Sequence, residues 1–298
     1  MNNLTIYPDK PSWLKARPRS IGASDTAKIL GLTSMGSEFS TYLEKAEGLP
    51  SDNRYEQLTK WGSLLEPVVR EEYQSVTGRT VHYDGAYAVA HHPDLPWMTC
   101  TLDGRIEPDA VYEGKTAIAY SRSNWDDGVP LPYQVQVQHQ LFVTGRQWGS
   151  VACLIGGNDF RYYDIPRNDD FINEVMLPKL DEFWHRVQTK TPPDIDGSEA
   201  TREATRRLDP YDDGATTEFL DIEWETVERW KDLKAKIKQL TDEKERLQAE
   251  IEYAMGGYTF ALLPDGSMLS YKTQTRPSYQ VKESTFRVLR EVKGKKGK

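Results

Sequence analysis

The alternation of apolar and polar positions along the chain predicts an orderly succession of strands and helices. A period of two marks strands over 80–92, 97–106, 110–117, 149–156 and 159–165. A period of 3.6 marks helices at about 24–30, 38–47, 56–77, 133–144 and 168–190. Helices interspersed with strands in this way predict an α/β fold with a central mixed sheet flanked by helices.

The pattern changes after residue 197. A polar, turn-rich stretch over 198–214 predicts a linker between a domain of residues 1–197 and a C-terminal region of residues 215–298. From Trp230 onward, apolar residues follow a heptad seam that Lys244 interrupts, at Leu233, Ile237, Leu240, Leu247, Ile251 and Ala254. This seam fits a long helix packed against its own chain or a dimerising coiled coil. A hairpin around Pro264-Asp265-Gly266 and a basic tail over 282–298 follow it.

The hairpin from Asp103 to Lys115 is predicted to bring two carboxylates and one ammonium group together. Turn residues at Glu107-Pro108-Asp109 join its strands, and the period of two places Glu113 and Lys115 on one face, next to Asp103. Two carboxylates can bind Mg²⁺ or Mn²⁺, and the metal lowers the pKa of a bound water so that it can attack phosphorus. A surface hairpin with a Glu–Lys pair remains the alternative, because the pattern is short.

Composition narrows the class of protein. Two cysteines, Cys100 and Cys153, are too few for the four ligands of an iron–sulfur nuclease, so we expect no such cluster. No apolar run approaches the roughly 18 residues of a transmembrane helix, and the first residues lack the regions of a signal peptide. We therefore expect a cytoplasmic protein without membrane contact. The net charge of −8 requires that any contact with nucleic acid come from local basic patches.

Four ordered blocks of sequence resemble the YqaJ-type viral recombinases, a group of the PD-(D/E)XK nuclease superfamily that includes phage lambda exonuclease and RecE-like nucleases. The blocks are Trp13–Asp25, Trp61–Pro67, Asp103 with Glu113-Gly114-Lys115, and Tyr133–Gly145. The resemblance implies a restriction-endonuclease-like core, to which the C-terminal long helix and β-hairpin are appended. It also implies a Mg²⁺-dependent exonuclease, in which Mn²⁺ can substitute, that digests double-stranded DNA ends 5′ to 3′ and leaves a 3′ single strand.

The resemblance also implies roles for individual residues. Metal ligands are expected at Asp103, Glu113, the Gly114 carbonyl and Glu66. Lys115 and Gln136 would serve the attacking water, and Tyr133 would position the substrate. The 5′-phosphate of the DNA end would be bound by Arg17, Ser24, Thr101 and Arg122, with Ser24 also the expected N-cap of its helix. Gly114 stands where the family usually has an apolar residue, which should loosen the strand.

The partners that the resemblance implies are double-stranded DNA ends and a single-strand annealing protein of the RecT or Beta kind. It further implies a homo-oligomer, with a trimeric ring favoured, in a bacterial host of a phage or prophage. Two other functions stay open: a restriction-type endonuclease, and a catalytically weak DNA-end-binding or interaction module on the same fold.

Overall fold

The computed structural model describes residues 3–50, 56–212, 214 and 222–275. The chain forms two compact units, one that ends at Pro210 and one that begins at Tyr211. The basic tail predicted over 282–298 lies outside the described residues. Among the helices that are described, none has the length and apolar character needed to cross a membrane.

The first unit mixes short strands with helices, as the hydrophobic pattern predicts. Its helices are α1 (Lys10–Ala16), α2 (Ala23–Ile29), α3 (Glu38–Ala46), α4 (Glu56–Thr77), α5 (Leu131–Thr144), α6 (Asp169–Phe171), α7 (Leu177–Thr189) and α8 (Glu199–Leu208). Its strands are β1 (Leu4–Ile6), β2 (Ile21–Gly22), β3 (Val81–His82), β4 (Ala88–His91), β5 (Met98–Thr101), β6 (Gly104–Ile106), β7 (Ala110–Ala117), β8 (Trp148–Ile155) and β9 (Asp159–Pro166). Turns of 3₁₀ helix occupy Arg17–Arg19 and Ala119–Trp125, and a π-helical turn at Ile172–Met176 joins α6 to α7.

The strands are divided between two mixed sheets. One sheet has the order β3-β6-β7-β8-β9, in which β7 and β8 are parallel, and the other has the order β1-β4-β5-β2, in which β5 and β2 are parallel. The α/β fold with mixed sheets flanked by helices is thus confirmed. The single strands predicted over 80–92 and 97–106 are wrong. The first is split into β3 and β4 and the second into β5 and β6, and the two halves of each belong to different sheets.

Asp103 stands at the crossing between the two sheets. Leu102 before it is buried in the core, and Gly104 after it starts β6. A Cβ atom at Gly104 would lie 2.2 Å from Val81 Cγ1, so only glycine lets β6 approach β3 this closely. The burial of Leu102 and the close packing at Gly104 therefore hold the backbone in place on both sides of Asp103.

Helix α8 lies within the stretch predicted as a linker. Ser198 accepts a hydrogen bond from Thr201 N at the start of α8, and the Thr201 hydroxyl lies 2.6 Å from that of Ser37. Ala200 and Ala204 are buried with Thr201 where α8 packs on α3. The buried face consists of small residues, which give no apolar periodicity, so the pattern did not predict the helix. The first unit accordingly extends to Pro210 and does not end at residue 197.

The second unit contains the expected long helix and hairpin. Helix α9 spans Trp224–Met255, and strands β10 (Phe260–Leu262) and β11 (Met268–Ser270) pair in antiparallel fashion after it. Large apolar residues of the α9 seam are exposed.

Candidate active site

Strand β7 presents Glu113 and Lys115 on one face, as its period of two predicts. Glu113 is buried and Lys115 half-buried, and Lys115 Nζ lies 2.5 Å from Glu113 Oε1. Asp103 joins them from the neighbouring strand end, because its Oδ2 accepts a hydrogen bond of 2.9 Å from Gly114 N. The three side chains predicted to converge on this hairpin do so.

Helix α5 lies across this face of β7 and brings amide groups to Glu113. Gln136 Nε2 donates to Glu113 Oε1 and Gln140 Nε2 donates to Glu113 Oε2, each at 2.5 Å. Lys115 Nζ in turn donates to Gln136 Oε1 at 3.1 Å. Gln136 was predicted as a site residue, whereas Gln140 was missed. Its signal was present, since Tyr133, Gln136 and Gln140 share one helical face.

Burial and the charge of Glu113 raise the pKa of two neighbouring carboxyl groups, Asp103 and Glu66. Burial and the negative charge of Glu113 raise the pKa of Asp103 well above its usual range. The pKa of Glu66, on α4, is raised by partial burial and by repulsion from Glu113, although Arg70 opposes these effects. Arg70 Nη1 lies 3.4 Å from Glu66 Oε1 and donates to the Asp103 carbonyl at 3.3 Å, so it ties α4 to the site. The sequence did not suggest Arg70.

This set of donors fits a divalent cation held by two carboxylates. The negative charge of Glu113 destabilises the charged form of Asp103, and a cation between them would relieve that repulsion. Within the described residues, no group of three or more His, Cys, Asp or Glu side chains is close enough to hold a metal. Direct coordination by Glu66 as a third carboxylate is therefore not supported, and backbone oxygen and water would have to complete the shell.

Lys115 is held as a cation. Burial alone would lower its pKa, but the charges of Glu113 and Asp103 outweigh burial and raise the pKa. Its ammonium also lies 4.8 Å from the centre of the Tyr133 ring, which stacks on Trp125 at 5.6 Å. Tyr133, which was predicted to position the substrate, thus contacts the Lys115 ammonium.

A cavity of about 570 Å³ opens beside the carboxylates. Its lining includes Arg17, Ser24 and Thr101, which were predicted to bind a terminal phosphate, and Gln136, which bonds Glu113. Lys15, Arg19 and Lys45 add positive charge to the wall. The structure therefore brings three of the four predicted phosphate ligands together, next to the predicted metal ligands.

Asp25 organises the cations of this wall. It is fully buried, with Lys45 Nζ at 2.6 Å, Lys28 Nζ at 3.6 Å and Arg17 Nη2 at 3.8 Å. Burial would raise the pKa of Asp25, but these three cations outweigh it and hold the pKa below its usual range. Because one carboxylate meets three cations, the cluster keeps net positive charge. Lys45 and Asp25 lie on different helices, so no local pattern of residues indicates the cluster.

Two predicted details of the phosphate site are corrected. Ser24 is not the N-cap of α2, because Gly22 is the cap and Asp25 Oδ2 accepts a hydrogen bond from Gly22 N. Arg122 is not among the described residues that line the cavity. It lies in the turn of 3₁₀ helix after β7, where its Nη1 is 2.7 Å from Asp159 Oδ2. Arg122 thus pairs with the carboxylate at the start of β9.

Sequence comparison relates the chain to known proteins. Residues 12–147 match the family model described as the YqaJ-like viral recombinase domain. Protein YqaJ of Bacillus subtilis is 30% identical over 254 residues, which are 83% of this chain and 78% of that protein. The family-model match over residues 12–147 contains every predicted site residue.

Structural comparison supports the fold. An alkaline exonuclease from Laribacter hongkongensis superposes with a TM-score of 0.50 at 21% sequence identity, over 61% of this chain and 94% of that one. At this identity the similarity establishes a shared fold.

Proposed function

Because the chain belongs to the YqaJ-like viral recombinase family, we propose that it is a divalent-metal-dependent exonuclease that acts on the ends of double-stranded DNA. The observation that carries the proposal is the double role of Gln136. It donates to Glu113 in the carboxylate cluster and also lines the cationic cavity. A phosphodiester at the carboxylates and a terminal phosphate in the cavity would then belong to one DNA strand.

Asp103 and Glu113 would hold Mg²⁺, or Mn²⁺ in its place, together with the Gly114 carbonyl and water, and Glu66 would act through water. The metal supplies a water of lowered pKa and neutralises charge on the phosphate. Lys115, held as an ammonium by Glu113 and Asp103, would stabilise negative charge that builds up on the phosphate oxygens. Gln136 would orient the attacking water, and Tyr133 would keep the ammonium in place.

The cavity would bind the 5′-phosphate of the DNA end. Arg17 offers a charge-assisted contact, and Ser24 and Thr101 offer hydroxyl groups. A strand anchored by its 5′ end, with its chain running past the carboxylates, is digested from that end. The proposed polarity is therefore 5′ to 3′, with a 3′ single strand as the product and a single-strand annealing protein of the RecT or Beta kind as the partner that receives it.

A chain with a net charge of −8 holds DNA weakly at physiological salt. Assembly into a ring, most simply a trimer, would retain DNA by enclosing it and so allow processive digestion. Sedimentation of the nuclease at micromolar concentration as a monomer, together with processive digestion, would contradict the ring.

The proposed function is tested with linear and covalently closed circular duplexes of the same sequence, incubated with Mg²⁺. We expect nucleotide release from the linear duplex only. Phosphorothioate linkages at both 5′ ends should block it, whereas the same linkages at both 3′ ends should not. Discrete cuts in the circle would instead indicate an endonuclease, and binding to ends without cleavage would indicate an end-binding module.

A further inference from the structure

The seam of α9 exposes a row of large aliphatic side chains. Their exposed fractions are 42% for Leu233, 64% for Ile237, 65% for Leu240, 43% for Leu247 and 45% for Ile251. Soluble monomers rarely leave a contiguous apolar stripe of this kind uncovered. The stripe is therefore a surface suited to association.

The stripe continues into a groove of about 540 Å³ between α9 and β11. Leu247 and Ile251 form its helical wall, and Leu269 and Tyr271 line it from the hairpin. A groove with apolar walls along a helix suits a second helix laid beside it.

The charges that flank the seam are segregated along the helix. With Ile237 and Ile251 at heptad position a and Leu233 and Leu240 at position d, position g is occupied successively by Arg229, Lys236, Glu243 and Glu250. All four g residues are exposed. The g positions are basic in the first half of the helix and acidic in the second. Two copies of the helix in antiparallel orientation would therefore place basic g residues opposite acidic ones.

We propose that α9 pairs with α9 of a second copy of this chain in antiparallel orientation. Position g of one copy then faces position g of the other. Arg229 of each copy lies opposite Glu250 of the other, and Lys236 lies opposite Glu243 in the same way. In the seam, Ile237 meets Leu240, and Trp230 meets Leu247 in the groove. Glu250 already contacts Arg246 within its helix, and Arg246, at position c, lies off the seam and leaves room for the second cation.

The same residues disfavour a parallel pair. Position g would then face position e of the following heptad, which sets Arg229 against Lys234 and leaves Lys236 and Glu243 opposite Thr241 and Gln248. Lys244 would also meet Lys244 of the second copy inside the seam. In the antiparallel pair Lys244 meets Leu233, along which its aliphatic stem can lie while the ammonium reaches water.

Charge reversal in the full-length chain tests the pairing by sedimentation equilibrium. Glu243→Lys/Glu250→Lys makes every g position basic, and Arg229→Glu/Lys236→Glu makes every g position acidic. Each variant alone should raise the dissociation constant roughly a hundredfold, so that its mass at micromolar concentration is half that of the wild type. An equimolar mixture of the two should recover the wild-type mass.

A matched control carries the same change of charge away from the seam. Asp242→Lys/Glu245→Lys alters positions f and b and should keep the wild-type mass. If the wild type has the same mass as the charge-reversed variants, the seam is covered by the same chain or stays solvated, and the proposal is wrong.

Disulfide formation tests the orientation. Trp230→Cys and Leu247→Cys variants should cross-link to each other when mixed but not to themselves, because identical positions lie about 25 Å apart in an antiparallel pair. The native cysteines, Cys100 and Cys153, are buried and do not compete. Cross-linking of Trp230→Cys to itself would show a parallel pair and overturn the proposal.

Discussion

At the scale of single residues, the site depends on the buried carboxylate of Glu113, which accepts hydrogen bonds from three side chains. Glu113 accepts from Lys115, Gln136 and Gln140, while Asp103 accepts from the backbone of Gly114. These contacts aim the oxygen atoms of Glu113 and Asp103 but leave two acidic groups next to each other. The raised pKa of Asp103 is the measurable sign of that arrangement.

Asp103→Asn should stabilise the metal-free protein at neutral pH. The pKa of Asp103 is higher in the folded state than its ordinary value of 3.8, so its contribution to stability is complete below that value and is lost as the pH rises through the folded pKa. Asparagine does not ionise, so Asp103→Asn does not lose stability as the pH rises through this range. Denaturant titrations from pH 4 to pH 8 in the presence of a chelator should therefore show its advantage over the wild type growing with pH.

Metal supplies the complementary check on Asp103. Adding Mg²⁺ at pH 8 should raise the Tm of the wild type and should raise that of Asp103→Asn much less, since a ligand is lost. An equal rise in both proteins would show that Asp103 does not hold the metal.

At the scale of elements, α5 is the part that connects the sheets to the site. Its glutamines bond Glu113, and its His139 lies between the Thr26 hydroxyl, at 2.7 Å, and the Thr99 carbonyl, at 3.0 Å. His139 therefore ties α2 and β5 to α5.

Low pH should weaken the hydrogen bonds of His139 and lower the stability of the fold. Burial lowers the pKa of His139 from 6.5 to about 4, so its contribution to stability is complete above pH 6.5 and is lost as the pH falls towards 4. The difference corresponds to roughly 3 kcal/mol of unfolding free energy. His139→Gln should flatten this part of the stability curve, whereas His185→Gln, at an exposed position of α7, should leave it unchanged.

Glycine substitutions test the packing of β6 and β7. A Cβ atom at Gly114 would lie 3.4 Å from the Tyr112 hydroxyl and 3.8 Å from Asp103 Oδ2, which are ordinary contacts. Gly114→Ala should therefore raise the free energy of unfolding, by about 0.5–1 kcal/mol. Gly104→Ala should lower it, because its Cβ would overlap the side chain of Val81. If thermal unfolding shows that both variants are less stable than the wild type, β7 needs glycine at position 114.

Elements with a strong local signal were predicted from the sequence, and those built from distant residues were not. The hairpin at 103–115 follows from a period of two and a turn, and both are local. The split between β5 and β6 was missed because a continuous β-prone run does not show which sheet each half joins. Helix α8 buries a face of alanines and a threonine, and Asp25 pairs with Lys45 from another helix. Both features depend on tertiary contacts, which leave no periodic pattern in the sequence.

At the scale of the whole molecule, a cationic cavity lies next to a carboxylate cluster within an acidic chain. Linear DNA with 5′-phosphates should be digested faster than the same DNA with 5′-hydroxyls, by roughly ten- to a hundredfold, because a charge-assisted contact contributes about 1.5–3 kcal/mol. Arg17→Ala should remove most of this preference while changing the rate on 5′-hydroxyl DNA much less.

The control for Arg17 is Arg202→Ala on α8, an exposed arginine away from the cavity, which should keep the preference. Equal rates of the wild type on both kinds of end, or equal slowing of both by Arg17→Ala, would place the phosphate site elsewhere.

The most direct test of the central claim measures acid-soluble nucleotides released from linear duplex DNA, with and without Mg²⁺. The variants are Glu113→Gln, which keeps the size of the side chain, Lys115→Met, which removes the ammonium, and Glu72→Gln, an exposed carboxylate of α4 with the same change of charge. We expect Mg²⁺-dependent release by the wild type and Glu72→Gln, and release slowed roughly a hundredfold or more by Glu113→Gln and Lys115→Met. Release by Glu113→Gln at the wild-type rate would contradict the assignment of this site.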